Sequence, residues 1–145
     1  MFYVPFGSEV DTYGMIRDSI KLGKDVLVPA MEERSDDIIP VQISGISDLA
    51  KGKWGIPEPK VKNKFPLGRI NLIIVPGVAF DRHCYRIGFG KGCYDRFLKK
   101  TREYGKAFKL GIGYGIQLLD SVPHSGQDVR LDAILTEKGV VRKQV

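Results

Sequence analysis

Cysteine is scarce in this chain, and long hydrophobic runs are absent. Two cysteines, Cys84 and Cys93, are too few for the disulfide framework of a small secreted domain. Together with His83 they also match no zinc-binding spacing. We therefore expect two reduced thiols. The longest apolar run, Leu72 to Val75, is far too short to cross a bilayer. No basic region precedes the apolar N-terminus, which predicts no secretory signal and a cytoplasmic location.

Acidic residues are outnumbered by basic ones, 17 against 23, giving a net charge of +6. This charge favours anionic partners, which include nucleotides, polyanionic small molecules and nucleic acid. The basic residues are spread over many segments, with local density at 51–64 and 96–109. They do not form one stripe with interleaved aromatics, the pattern typical of nucleic-acid binders. A solvated basic surface explains the first cluster equally well.

The apolar pattern predicts short strands that alternate with helices. Strands are expected over residues 1–6, 25–29, 36–44, 70–76, 108–115, 130–137 and 139–143, and helices over 8–24 and from Tyr94 to about Tyr104. Residues 51–68, rich in proline, glycine and lysine, are expected to form a long ordered loop. This alternation predicts a doubly wound α/β fold, with three layers, a mainly parallel sheet and helices on both faces. With no internal repeat or boundary, one domain is expected over 1–145.

A glycine-rich stretch, "YRIGFGKGCYDRFLKK", follows the strand predicted at 70–76. It lacks the Gly-Lys-Ser/Thr of a Walker A loop and the G-x-G-x-x-G spacing of a dinucleotide fingerprint. Its glycines nevertheless let the backbone approach a ligand, and the helix that follows adds a positive dipole end. Arg86 and Lys91 add full charges. The stretch therefore predicts a phosphate cradle, and the alternative is a plain connector between strand and helix.

The wider segment from Pro76 to Leu98, "PGVAFDRHCYRIGFGKGCYDRFL", closely resembles the signature of the 5-formyltetrahydrofolate cyclo-ligase family. Members carry Pro-Gly-x-x-Phe-Asp, then Arg-(Leu/Ile)-Gly-x-Gly-x-Gly-x-Tyr-Asp, and both halves stand here in order. "SEVDT" around Glu9, "WGIPEP" from Trp54 and "QDVRLDAILTE" from Gln127 resemble further family segments. The resemblance covers essentially the whole chain.

The resemblance implies an enzyme that uses ATP and Mg²⁺ to close 5-formyltetrahydrofolate into 5,10-methenyltetrahydrofolate. It implies that ATP phosphorylates the formyl oxygen, N10 of the folate attacks the activated carbon, and phosphate leaves. The expected partner is the folate, with or without a polyglutamate tail. A monomer is expected, with neither a membrane nor a nucleic-acid partner.

Carried over by position, the resemblance assigns roles to individual residues. The ATP phosphates are expected to contact one continuous segment: Arg86, Ile87, Gly88, Phe89, Gly90, Lys91, Gly92, Cys93 and Tyr94. Within it, Lys91 and Arg86 are the expected catalytic residues, and the part from Phe89 to Cys93 should also border the folate. Asp95 and Asp128 match the family's magnesium ligands by position, and carboxylate oxygens suit a hard dication.

Three residues outside this segment are expected at the folate: Val4, Glu9 and Trp54. Each has a plainer alternative, namely strand core for Val4, helix capping for Glu9 and a cover over the hydrophobic core for Trp54. Asp95 would alternatively complement the helix dipole, and Asp128 would be a solvated loop acid. Four further residues are expected to hold loops rather than touch substrate: Asp81, Arg82, Tyr85 and Asp132.

Two departures from the family pattern bear on activity. Cys93 stands where members typically have an aromatic residue. The chain also begins at the first predicted strand, without the N-terminal helical segment whose basic residues contact ATP in members. The competing hypothesis is therefore a non-catalytic module of this fold that binds nucleotide or RNA. A sugar-phosphate isomerase or CoA-transferase of similar architecture has no supporting motif here.

Overall fold

A computed structural model describes all 145 residues, with two α-helices and eleven strands. The elements follow in the order α1 (Tyr13–Lys21), β1 (Val26–Met31), β2 (Ile38–Ile43), β3 (Leu49–Lys51), β4 (Pro57–Pro59), β5 (Leu72–Val75), β6 (Ala79–Asp81), β7 (Arg86–Ile87), α2 (Cys93–Tyr104), β8 (Phe108–Ile112), β9 (Leu118–Leu119), β10 (Ala133–Thr136) and β11 (Gly139–Arg142). Short 3-10 turns lie in several of the connections.

The central sheet has four strands in the order β11-β10-β8-β5. Two of its three pairings, β5 with β8 and β8 with β10, are parallel, and β11 is antiparallel at one edge. The prediction of a mainly parallel sheet thus holds for this sheet, and outside it only β6 and β9 pair in parallel. β1 with β2, β3 with β4 and β6 with β7 are antiparallel, because their short connections allow hairpins, whereas parallel strands need a long crossover.

Helices pack on both faces of the sheet, as predicted. Phe97 and Leu98 of α2 belong to the core cluster that contains Ile73 of β5. The next residue along β5, Ile74, points to the other face and packs with Met15 of α1. The fold is therefore three-layered. Neither helix is long and apolar enough to cross a membrane.

The predicted helices are present, with one shortened. α1 begins at Tyr13 rather than residue 8, where Asp11 Oδ1 accepts a hydrogen bond from the Tyr13 N–H at 2.9 Å. Gly23, at φ +73°, follows its end, as expected of a glycine in the left-handed region. α2 starts at Cys93 and ends at Tyr104, as the spacing of its apolar residues predicts.

Two strand predictions need correction. Residues 1–6 form no regular strand, although the Phe2 N–H donates to Leu27 O and the Ile74 N–H donates to Met1 O, so this segment lies between β1 and β5. Within the predicted loop 51–68, residues Pro57–Pro59 pair with β3. Prolines are tolerated there because a two-stranded ladder leaves each strand an unpaired edge.

Candidate functional site

One cavity of about 550 Å³ contains every site residue predicted from the sequence. They are Val4, Glu9, Trp54, Arg86, Ile87, Gly88, Phe89, Gly90, Lys91, Gly92, Cys93, Tyr94, Asp95 and Asp128. They come from the N-terminal segment, the connection between β3 and β4, the β7–α2 connection with the first turn of α2, and the loop before β10. Their roles remain predictions, but their convergence on one cavity is what a shared ligand requires.

The glycine-rich loop, Gly88–Gly92, joins β7 to α2 along one wall of this cavity. Gly90 and Gly92 have φ values of +89° and +65°, so any other residue would be strained there. Gly88, Phe89 and Gly90 make no hydrogen bonds to the rest of the protein. No side chain caps the N-terminus of α2 either. The loop therefore presents uncommitted backbone N–H groups to a ligand.

Arg86 is a buried cation held by one carboxylate. Its Nη2 donates to Asp95 Oδ2 at 3.1 Å, its guanidinium carbon lies 5.6 Å from the Tyr94 ring centroid, and its Nε has no partner. The other oxygen of Asp95 accepts the Val129 N–H at 3.0 Å. Asp95 thus ties β7 to the loop before β10, and the free Nε leaves one donor of Arg86 unused.

Lys91 is held by an aromatic ring. Its ammonium lies 3.6 Å from the centroid of Trp54, a cation–π contact at close range. Trp54 has a left-handed backbone with φ +58°, uncommon for a bulky residue. Its neighbour Lys53 lies 5.0 Å from the same ring and forms a salt bridge to Asp36 at 2.6 Å. Trp54 therefore covers the charged end of Lys91 rather than the hydrophobic core.

Asp95 and Asp128, the predicted magnesium ligands, both line the cavity. A hydrogen bond from the Ser125 N–H lowers the pKa of Asp128, with the Arg86 charge contributing, so its ionised form is favoured. No cluster of three or more acidic, histidine or cysteine side chains is present. Two carboxylates fit Mg²⁺, which usually takes one or two from protein and the rest from phosphates and water.

Glu9 lies half-buried in the lining of the same cavity, close to Tyr3. Burial raises its pKa, while a 2.9 Å hydrogen bond from the Phe6 N–H opposes the shift. Because this bond closes a local turn ahead of α1 and Thr12 is the residue that precedes the helix, Glu9 does not cap it. Its second oxygen remains available to the cavity.

The loops around the cavity are braced as expected by Asp81 and Tyr85. Asp81 is fully buried and accepts the N–H groups of His83, Tyr85 and Val122 at 2.9–3.0 Å. The Tyr85 ring stacks on His124 with centroids 3.7 Å apart. Both contacts restrain the loop that carries Asp128.

The remaining predicted braces, Arg82 and Asp132, make one ion pair each, and the thiols are free as predicted. Arg82 pairs with Asp120 at 3.4 Å on the surface, and Asp132 pairs with Lys109 at 3.1 Å. Cys84 is buried and Cys93 is half-buried, and neither forms a disulfide.

Sequence reasoning missed most of the apolar wall and one buried acid. Pro29, Met31 and Ile38 line the cavity but belong to no motif, whereas Ile56, which also lines it, lies in the "WGIPEP" segment. Glu58 also lines it, 7% exposed and in a salt bridge to Lys62 at 2.9 Å. Glu58 is the glutamate of the "WGIPEP" segment, so the resemblance of that segment to the family could have indicated it.

Comparisons with known proteins agree on one family. The sequence model of the 5-formyltetrahydrofolate cyclo-ligase family matches residues 1–137. The 5-formyltetrahydrofolate cyclo-ligase of Escherichia coli strain K12 is 32% identical over 141 residues, which cover 95% of this chain and 77% of that protein.

Solved structures give the same answer. The NMR structure of the Aquifex aeolicus 5,10-methenyltetrahydrofolate synthetase is 33% identical, with a TM-score of 0.82 over 99% of this chain and 71% of that one. The Mycoplasma pneumoniae 5,10-methenyltetrahydrofolate synthetase is 26% identical, with a TM-score of 0.68 over 98% of this chain and 71% of that one.

Proposed function

The chain belongs to the 5-formyltetrahydrofolate cyclo-ligase family, and from that premise we propose that it converts 5-formyltetrahydrofolate to 5,10-methenyltetrahydrofolate, using ATP and Mg²⁺. The relatives named above are enzymes of this reaction by their names. The dependence on ATP and Mg²⁺, and the residues assigned to each, come from the resemblance to the family, and the cavity's chemistry supports them.

The observation that carries the proposal is the state of Lys91. Three cations line the cavity, and two of them are matched by carboxylates, Lys53 by Asp36 and Arg86 by Asp95. Lys91 has no carboxylate within salt-bridge distance, and its ammonium rests on Trp54 instead. An uncompensated cation beside the free N–H groups of the glycine-rich loop is suited to a phosphate group.

Asp95 and Asp128 would hold the Mg²⁺ ion, which when bound neutralises charge on the phosphate oxygens. Arg86 lies close to both carboxylates, since it pairs with Asp95 and its charge also lowers the pKa of Asp128. Its guanidinium lines the cavity and would add positive charge at a phosphate oxygen. These three residues would therefore bind the nucleotide phosphates together with the metal ion.

The other half of the cavity suits a flat, partly apolar substrate. Trp54, with Val4 and Ile56 nearby in the lining, offers an aromatic and aliphatic surface to the rings of a folate. The Glu9 carboxylate would accept hydrogen bonds from the amino and ring N–H groups of the pterin. With the pterin bound there, the folate's formyl group would have to face the glycine-rich loop for the phosphate of ATP to reach it.

The proposed reaction has two steps. The formyl oxygen of the folate attacks the γ-phosphorus of ATP, forming an O–P bond and releasing ADP. N10 then attacks the activated carbon and loses its proton to solvent, and the C–O bond breaks with phosphate as the leaving group, which departs far more readily than hydroxide. The protein contributes positioning and charge stabilisation, with Lys91 and Arg86 at the phosphoryl oxygens.

The test is direct. Purified protein is incubated with 5-formyltetrahydrofolate, ATP and Mg²⁺, and the near-ultraviolet absorbance of the methenyl product is followed. We expect ATP-dependent growth of the band, loss of it in Lys91→Ala, and retention in Lys106→Ala, which removes an exposed lysine outside the cavity. Nucleotide binding by calorimetry without any product would instead contradict the enzyme and favour the non-catalytic module.

A further inference from the structure

Arg96, on the second turn of α2, makes contacts that no part of the proposed reaction uses. Its Nη1 donates to the Lys91 carbonyl at 2.8 Å, and its Nε donates to Asp37 Oδ1 at 2.9 Å. Its Nη2 donates to the carbonyl of Asp36 at 3.1 Å. One guanidinium thus joins the glycine-rich loop to residues 32–37, the connection between β1 and β2.

We propose that Arg96 is a positioning residue, which fixes the glycine-rich loop in the shape that receives phosphate by holding the Lys91 carbonyl. The proposal rests on the proposed function for the identity of the ligand. Arg96 does not itself line the cavity, so its effect on a ligand must pass through the loop.

The loop has few other restraints. Gly88, Phe89 and Gly90 make no hydrogen bonds to the protein, and the Lys91 carbonyl has only one further contact, the Cys93 thiol at 4.0 Å. A Cβ atom on Gly92 would lie 3.3 Å from Arg96 Nη1, so the guanidinium also packs against the end of the loop. Without Arg96, a run of three glycines in five residues would keep wide backbone freedom.

The backbone and the side chain of Lys91 are both restrained through the adjacent acids Asp36 and Asp37. Its carbonyl is held by Arg96, which is anchored on Asp37. Its ammonium rests on Trp54, whose neighbour Lys53 is anchored on Asp36. The adjacent acids Asp36 and Asp37 therefore fix the backbone and the side chain of Lys91 together.

Lys100 provides a matched control for this role. It forms a salt bridge to the same carboxylate, Asp37, at 2.7 Å, and has the same charge, but it makes no contact with the glycine-rich loop. Both cations lower the pKa of Asp37, Lys100 more than Arg96. Arg96→Ala and Lys100→Ala each remove one partner of Asp37, and only the first releases the loop.

The first measurement needs no ligand. ¹⁵N relaxation of the free protein reports the order parameters of the Gly90, Lys91 and Gly92 amides. In Arg96→Ala we expect these to fall from about 0.85, typical of a rigid backbone, to below about 0.6. In Lys100→Ala they stay at the wild-type value. Equal values in the two variants would overturn the proposal, whether or not the protein binds ATP.

The second measurement is the steady-state KM for each substrate. Arg96→Ala is expected to raise the KM for ATP about tenfold, the factor that corresponds to about 1.4 kcal/mol. The KM for the folate should rise less than that for ATP, because the glycine-rich loop only borders the folate, and Arg96 makes no hydrogen bond to Val4, Glu9 or Trp54. Arg96→Lys should give a KM for ATP between those of the wild type and Arg96→Ala, because one ammonium cannot reproduce the three directed hydrogen bonds of the guanidinium. Equal KM values for ATP in Arg96→Ala and Lys100→Ala would refute the role.

Failure of the proposed function would look different. If the wild type neither binds ATP nor forms product, the proposed function falls. The relaxation data alone then decide whether Arg96 orders the loop.

Discussion

Asp95 and Asp128 are the proposed metal ligands, yet the structure predicts very different stability losses when each becomes asparagine. Asp95 is the only carboxylate paired with Arg86, whose side chain is 5% exposed. Asp95→Asn would leave that guanidinium buried without a counter-charge. Both oxygens of Asp95 accept hydrogen bonds, so the amide NH₂ group of asparagine would face a donor, either Arg86 or the Val129 N–H. Removing one partner of a buried ion pair costs about 3–5 kcal/mol. Because Asp95 is 21% exposed, we expect the lower end, about 3 kcal/mol.

Asp128→Asn should cost less than about 1 kcal/mol, because the residue lies half-exposed on a loop and asparagine can still accept the Ser125 N–H. The pKa of Asp128 is lowered below its ordinary value of 3.8, so its ionised form contributes stability above that value and loses it as the pH falls through the folded-state pKa. The difference between the variants should therefore be clear at pH 7.

Urea unfolding followed by circular dichroism measures both variants, and heating should show a midpoint about 9 °C lower for Asp95→Asn. Activity assays over a range of Mg²⁺ should show a raised Mg²⁺ requirement in both. If Asp128→Asn is as unstable as Asp95→Asn, or if Asp95→Asn loses less than about 1 kcal/mol, Arg86 does not depend on Asp95 as argued.

Three further predictions concern the cavity and the core beneath it. Trp54 is the only tryptophan, and phosphate binding should draw the Lys91 ammonium off its ring, so ATP should change its fluorescence in the wild type and not in Lys91→Met. Burial raises the pKa of Glu9 above 4.5, so its ionised form lowers stability as the pH rises past that value, and Glu9→Gln should raise the melting temperature at pH 7 but not at pH 3. No gain at pH 7 would contradict this. Gly111→Ala would place Cβ 2.8 Å from the buried Phe80 ring and should cost about 1–3 kcal/mol in urea unfolding, whereas a neutral result would mean that the ring can shift.

Local signals were enough to locate one wall of the candidate cavity. The glycine spacing, the basic residues within it and the 3.6-residue period after it are all contained in one short stretch, so the glycine-rich loop and the extent of α2 were predictable. The short strands β6 and β7, which separate this loop from β5, were not predicted. The resemblance to the cyclo-ligase family then added Glu9, Trp54 and Asp128 from distant segments. All of them line the same cavity.

Strand pairing was not predictable in the same way. A strand's partner and direction depend on contacts far along the chain, and an apolar hexapeptide such as residues 1–6 meets the local criteria without forming a ladder. In β4, two prolines concealed a strand whose direction is antiparallel to β3. The contacts of Arg96 with Asp36 and Asp37 span about sixty residues, and nothing in the sequence distinguishes those acids from solvated loop residues.

Much of the positive charge behind the net charge of +6 is paired with acidic residues or hydrogen-bonded within the protein. In the basic cluster at 51–64, Lys53 and Lys62 pair with acids, and Lys60 donates to a backbone carbonyl. In the cluster at 96–109, Arg96, Lys100 and Lys109 form salt bridges. Binding to nucleic acid draws on cations that are free to neutralise phosphates along a surface, and these two clusters are largely committed to partners within the protein. Lys91 is the cavity cation without a carboxylate, and this places the attraction for phosphate inside the cavity, as an enzyme of small anionic substrates requires.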